Sequence, residues 1–171
     1  KNDFSVLEKI IQYRFHNIDL FHQAFTHRSI DSDPIKNYER LEFLGDAVLD
    51  IIISKLLMTE FPAGDEGLLT KKRAALVQRS FLAAIGNSLD LLSYLRIDQG
   101  IEISQSKVSK KQNANLVEAL IGAVYLDGEL NPCSELVKRL IWSRREEAWK
   151  LTNYKGRLIE FCHSHSLDNP V

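Results

Sequence analysis

Residues 39–50, Glu-Arg-Leu-Glu-Phe-Leu-Gly-Asp-Ala-Val-Leu-Asp, carry carboxylates where a core helix should have none. On a helix advancing about 100° per residue, Glu39, Glu42, Asp46 and Asp50 share one face, while Leu41, Leu44, Val48 and Leu49 point elsewhere. Like charges at this spacing repel by about a few tenths of a kcal/mol per pair in water. Against packed protein they repel far more, unless a cation sits among the oxygens. The pattern suits a hard-metal site. The solvated side of an ordinary amphipathic helix produces the same stripe, so this segment alone does not separate the two readings.

A second segment narrows the choice. Residues 113–128, Asn-Ala-Asn-Leu-Val-Glu-Ala-Leu-Ile-Gly-Ala-Val-Tyr-Leu-Asp-Gly, place Asn115 and Glu118 on one face at a spacing of three. Leu116, Val117, Leu120, Ile121 and Val124 surround them, so surface decoration explains these two polar groups poorly. Two apolar helices, each presenting oxygens, could pack with those faces opposed and grip a divalent ion.

Several motifs, taken in order, give the chain a resemblance to the ribonuclease III family. These are Ile11-Gln-Tyr-Arg-Phe, Ala24-Phe-Thr-His-Arg-Ser-Ile, Glu39-Arg-Leu-Glu-Phe-Leu-Gly-Asp, Asp65-Glu-Gly, Arg73-Ala-Ala-Leu-Val and Val117-Glu-Ala-Leu-Ile-Gly-Ala-Val-Tyr-Leu-Asp. The resemblance covers about residues 4–150 and implies an all-α, homodimeric endonuclease-domain bundle over residues 1–151. It implies that Glu42, Asp46 and Glu118 are ligands of catalytic magnesium, with Asp46 and Glu118 as catalytic residues. Asn115 stands where the family usually has a fourth acidic ligand, and Glu39 and Glu66 match acidic positions of the active-site valley and the dimer interface. An amide oxygen still suits magnesium, or manganese in its place, but removes one negative charge from the site.

The activity implied is cleavage of double-stranded RNA to 5′-phosphate and 3′-hydroxyl ends, in the processing of ribosomal, messenger and other structured RNA. Clustered carboxylates suit that chemistry, because paired metal ions activate water, stabilise charge on phosphate and neutralise the departing oxygen. The rival reading is a catalytically weakened or inactive RNA-binding scaffold, which Asn115 supports. A third is a helical dimerisation module whose acidic stripe is mere solvated surface.

With 171 residues, 44% hydrophobic and 26% charged, the chain has material for one core rather than two. Residues 152–171 resemble a linker and the opening helix of a double-stranded-RNA-binding domain, too short to complete it. No apolar run approaches the roughly 20 residues that span a bilayer, and no leader-like start is present, so a cytoplasmic protein without membrane contact is expected. Nothing suggests an organic cofactor. Cys133 and Cys162 have neither metal-ligand spacing nor disulfide-framework density, and read as buried or incidental thiols.

A net charge of −1 argues against holding nucleic acid by overall electrostatics, so clusters matter more. Lys71, Lys72 and Arg73, with Arg79 nearby, and Lys107, Lys110 and Lys111 are candidate phosphate contacts. His27 and Arg28 read as helix-tying groups rather than acid–base catalysts.

Periodicity predicts helices around residues 6–11 and 18–25, a long one from 38 to 60 closed by Pro62 and Gly64, and another over 66–76. A break is expected at Gly86-Asn87, an exposed loop over 99–112, and a left-handed cap at Gly128. Pro132 is expected to open a last helix running through Trp149.

Overall fold

Apolar residues at helical spacing form helices over most of the described residues, in a computed structural model that describes residues 4–101 and 106–152. They are α1 (Phe4–Ile11), α2 (Ile18–Ala24), α3 (Glu39–Glu60), α4 (Glu66–Val77), α5 (Arg79–Ser88), α6 (Ser106–Gly128) and α7 (Leu130–Leu140). Short 3-10 turns lie at Leu91–Tyr94 and Trp142–Arg144, and residues 145–152 are again helical. Among the described residues the only β-type pairing is a single bridge between Thr26 and Arg96. The all-α expectation therefore holds. The expected second-domain start lies outside the described residues apart from Thr152, as does Cys162.

α3 and α6 form the central pair, with α5, α7 and α2 packed on α6 and α4 on α3. Leu41, Leu49, Ile53 and Leu57 of α3 meet Leu116, Leu120, Ile121 and Val124 of α6 in one continuous core. The two backbones nearly touch where they cross. A Cβ built on Gly45 would overlap the Glu118 carbonyl, and one on Gly122 would overlap the Leu41 carbonyl. Only glycine permits that approach.

Local polar contacts fix the ends. Asp65 caps α4, its carboxylate accepting from the Leu68 N–H at 2.8 Å. The start of α3 is held by Asn37, which is 1% exposed. Its oxygen accepts from Glu39 N–H at 3.0 Å, while its amide donates to the carbonyls of Asp31 and Asp33 at 3.2 and 3.1 Å.

Several local expectations need correction. Gly86 does not break α5; it lets α5 press on α6, since a Cβ there would crowd the Asn113 backbone. The expected loop over 99–112 is helical from Ser106, so Lys107, Lys110 and Lys111 stand on the first turns of α6. Gly128 does not cap α6 with a left-handed conformation: no glycine has positive φ among the described residues, and the positive φ at this junction belongs to Glu129, whose φ of 64° and ψ of −162° lie outside the left-handed helical region. Gly128 is instead a contact glycine, because a Cβ would strike the Tyr13 hydroxyl and lie 2.8 Å from Pro132. Pro132 sits inside the first turn of α7, and that helix stops at Leu140 before a 3-10 turn.

The end of α6 is anchored by Asp127, whose side chain is 2% exposed. It accepts from the Tyr13 hydroxyl at 2.6 Å, from the N–H groups of His16 and Asn17 at 2.9 and 2.7 Å, and pairs with the His16 ring at 3.1 Å. Burial pushes its pKa up, but these hydrogen bonds outweigh it and hold the carboxyl below its ordinary value. A depressed folded pKa contributes stability above the ordinary carboxylate range that is lost as pH falls through the lowered value. Asp127→Ala should therefore cost about 2–4 kcal/mol at neutral pH, with the difference from the parent shrinking in urea melts at acid pH.

Cys133 is buried as expected, its thiol facing the Ile121 carbonyl at 3.5 Å and its pKa pushed up to about 12 by burial. No helix among the described residues is long and apolar enough to cross a membrane.

Candidate metal centre

The glycine crossing decides which side chains meet. With Gly45 against the Glu118 backbone, the residue after it, Asp46, and the residue one turn before, Glu42, flank Glu118 of α6. Glu118 and Glu42 are half-buried, whereas Asp46 is exposed.

The charges register one another strongly. Burial, then the neighbouring Asp46 and Glu42 carboxylates, raise the Glu118 pKa to about 7, opposed mainly by Arg79. Glu42 is also shifted up, by burial first and then by Glu39, while Lys111 and Arg79 pull it down. Two cations thus face this acidic group: Lys111, among the expected basic residues, and Arg79 at the start of α5. From sequence Arg79 was only one member of a basic cluster; nothing in its spacing tied it to Glu118.

Asn115 is 6% exposed and lies one turn before Glu118. It lies near Tyr38, whose hydroxyl donates to Gln112 Oε1 at 2.6 Å. Gln112, Asn115 and Glu118 therefore form one stripe of α6 facing α3. Neither Gln112 nor the role of Tyr38 was legible from periodicity, because Gln112 fell in the expected loop.

Glu39 stands at the rim, paired with Arg28 at 3.5 Å across solvent, a contact worth little by itself. Glu66 is elsewhere. It accepts from Thr70 Oγ1 at 2.8 Å and lines a cleft with Ser54, Met58 and Arg73. Those α3 residues lie 8–12 positions beyond Asp46, about 12–18 Å along the helix axis. His27 makes a local loop contact rather than a bond between helices: its Nδ1 accepts from Ser29 N–H at 3.1 Å, and Ser29 Oγ accepts from Asp98 N–H at 3.0 Å.

The α4 basic cluster divides. Lys71 is exposed, but the Lys72 ammonium lies over the rings of Trp149 and Phe61, 3.7 and 4.6 Å from their centroids. Arg73 donates to Ser54 Oγ at 2.9 Å and approaches Asp50 at 4.0 Å. These two cations are engaged within the fold. Lys107, Lys110 and Lys111 are exposed.

Among the described residues no three His, Cys, Asp or Glu side chains form a ready-made metal cage. The donor set nevertheless fits magnesium, which keeps several waters and takes only one or two protein carboxylates beside a phosphate. Burial first, and then the neighbouring carboxylates, raise the Glu118 pKa, and a divalent cation would relieve that surplus of negative charge.

Residues 17–144 match the family model described as Ribonuclease-III-like. The chain is 49% identical to the Ribonuclease 3 of Anaplasma phagocytophilum, over 95% of this chain and 70% of that one. It is 37% identical to the Ribonuclease 3 of Zunongwangia profunda, over 94% of this chain and 68% of the relative. The chain thus spans about two thirds of the length of these curated relatives. Its fold is similar to the nuclease domain of ribonuclease III from Campylobacter jejuni, with a TM-score of 0.77 and 35% identity over 82% of this chain and 97% of that one. A more distant likeness is to Dicer from Pichia stipitis, with a TM-score of 0.58 and 26% identity over 81% of this chain and 59% of that one.

Proposed function

Since the chain belongs to the ribonuclease III family, we propose that it is a magnesium-dependent endoribonuclease that cuts double-stranded RNA to 5′-phosphate and 3′-hydroxyl ends. Manganese can replace magnesium in this reading, and the substrates are ribosomal, messenger and other structured RNA in the cytoplasm. The observation that carries it is the α3–α6 crossing at Gly45 and Gly122, which sets a half-buried Glu118 near enough to Asp46 and Glu42 for burial first and then both carboxylates to raise its pKa.

Glu42, Asp46 and Glu118 would hold the ion, with Asn115 as a neutral oxygen donor. When bound, magnesium supplies Lewis acidity toward phosphate and an activated water. The protein's own part is positional. The glycine crossing fixes the spacing between carboxylates, and Lys111 and Arg79 bring positive charge to the edge where a phosphate backbone would pass. Exposed Lys107 and Lys110 extend that edge along α6. Recognition through backbone shape and 2′-hydroxyls calls for no sequence code.

A homodimer belongs to the same reading. The Campylobacter jejuni structure concerns a region involved in that protein's dimer formation. Here Phe43, next to Glu42, is 81% exposed and lines a cleft with Ile35, Leu44 and Leu126, an apolar face that a second copy would bury. Phe43→Asp should shift the protein to monomer in sedimentation, while its circular dichroism stays helical.

Asn115 favours a second reading, a binding scaffold with little cleavage. Titrating magnesium or manganese against labelled duplex RNA, with the parent and Asn115→Asp side by side, separates the two. Cleavage by the parent supports the nuclease; binding without cleavage in the parent, restored in Asn115→Asp, supports the scaffold.

A further inference from the structure

Tyr38, at the N-cap of α3, is a fixed post: its N–H donates to the Thr26 carbonyl at 3.0 Å, and its carbonyl accepts from Glu42 N–H at 2.8 Å. The residue is 3% exposed, and its hydroxyl reaches across to α6, donating to Gln112 Oε1 at 2.6 Å. Gln112 is buried too, so water does not compete for this bond. The stretch of α6 before it has little hold of its own. From Lys107 to Lys111 no side chain is buried, and Gln112 is the first that is. A polar run such as Ser-Lys-Val-Ser-Lys-Lys is a marginal helix without a tertiary anchor. Lys107 and Lys111 stand one turn apart with Lys110 beside them, so the three charges share one exposed side. The direction in which that side faces is set at the first anchored side chain, one residue further on.

We propose that the Tyr38–Gln112 hydrogen bond docks the head of α6 on the start of α3 and so holds Lys107, Lys110 and Lys111 in line for a duplex backbone, making Tyr38 and Gln112 positioning residues for RNA. The inference rests on the duplex-RNA reading above. Both residues are buried, so they act only through the lysines. Removing the phenol hydroxyl strands the Gln112 oxygen, which regains a donor only by moving out to water and taking the head of the helix with it.

Two measurements test it, each on the parent and on Tyr38→Phe, which keeps the ring. Hydrogen exchange of the RNA-free protein should be about fivefold faster at the amides of residues 110–113, the factor one ordinary buried hydrogen bond is worth, with protection over 116–124 retained. Fluorescence anisotropy with a fluorescein-labelled RNA duplex in metal-free buffer, repeated across potassium chloride concentrations, reads the consequence for binding. Tyr38→Phe should weaken affinity about threefold to fivefold and flatten its salt dependence. In a background with Lys107, Lys110 and Lys111 all changed to Ala, the same substitution should alter affinity less than about 1.5-fold, since nothing remains to position. Gln112→Ala removes the other half of the bond and should reproduce both effects; it carries the test where Tyr38→Phe fails to fold. Unchanged exchange at 110–113, equal losses of affinity in both lysine backgrounds, or faster exchange with unchanged affinity would each overturn the assignment. A parent that binds no duplex even in low salt overturns the duplex-RNA reading as well, whereas a parent that binds but ignores Tyr38→Phe overturns only the role of the Tyr38–Gln112 bond.

Discussion

Glu118→Gln should abolish cleavage of duplex RNA while leaving the protein folded and slightly more stable at neutral pH. The amide matches the carboxylate in shape, so core neighbours Leu116, Val117 and Ala119 are undisturbed. What disappears is a charge that would anchor the ion. Losing several kcal/mol of transition-state stabilisation of the kind a Lewis-acid ion supplies lowers the rate by at least about a thousandfold. The stability effect follows from the raised pKa. A carboxyl near 7 in the fold, against 4.5 as its ordinary value, binds more protons folded than unfolded between those limits, so metal-free stability falls as pH rises through that window. Glu118→Gln should flatten this slope in thermal melts from about pH 5 to pH 8, and magnesium should flatten it in the parent. Retained cleavage in a clean Glu118→Gln preparation would remove the residue from the site.

The second large effect is expected from a residue with no chemistry at all. Gly45→Ala drives a methyl into the Glu118 carbonyl and to within 2.9 Å of the Gly122 nitrogen, where the obstruction is backbone and cannot rotate aside. The helices must part or tilt. Overpacking of this kind costs at least about 3 kcal/mol, a large share of the roughly 5–15 kcal/mol that holds a domain together. A drop in melting temperature of roughly 6–12 °C follows for a chain of this size. Parting the helices also separates Glu42 and Asp46 from Glu118, so cleavage should fall more than the folded fraction does. Gly45→Ala with parental melting would mean that the crossing is looser than described.

The long helices and their donor residues were legible because two independent patterns, apolar periodicity and a carboxylate stripe, coincide on α3 and again on α6. Punctuation was read less well. Gly86 and Gly128 looked like stops, yet both are glycine because another element presses on them, and a close approach across long sequence separation leaves no local trace. The first turns of α6 were mistaken for loop because Ser106–Gln112 is polar; its helicity comes from continuity with the buried half. Gln112, which carries the Asn115–Glu118 face one turn further, was hidden for the same reason. Asn37 and Asp127 were similarly invisible as anchors: Asn37 binds backbone groups of its own loop, and Asp127 reaches residues 13–17, far away along the chain. Arg79 could be seen as basic, but its reach to Glu118 is a product of how α5 lies on α6.

The capture of Lys72 by two aromatic rings, and of Arg73 by Ser54, also bears on how this domain would respond to ionic strength. Each protein cation that neutralises a backbone phosphate releases condensed counterions, and the steepness with which affinity falls in added salt counts those releases. Two of the three charges of the 71–73 cluster are withdrawn from that exchange, so the count is left chiefly to Lys71, Arg79 and the lysines at the head of α6. Duplex association by this domain should therefore fade only gradually with potassium chloride, and most of the remaining gradient should vanish when Lys107, Lys110 and Lys111 are neutralised together.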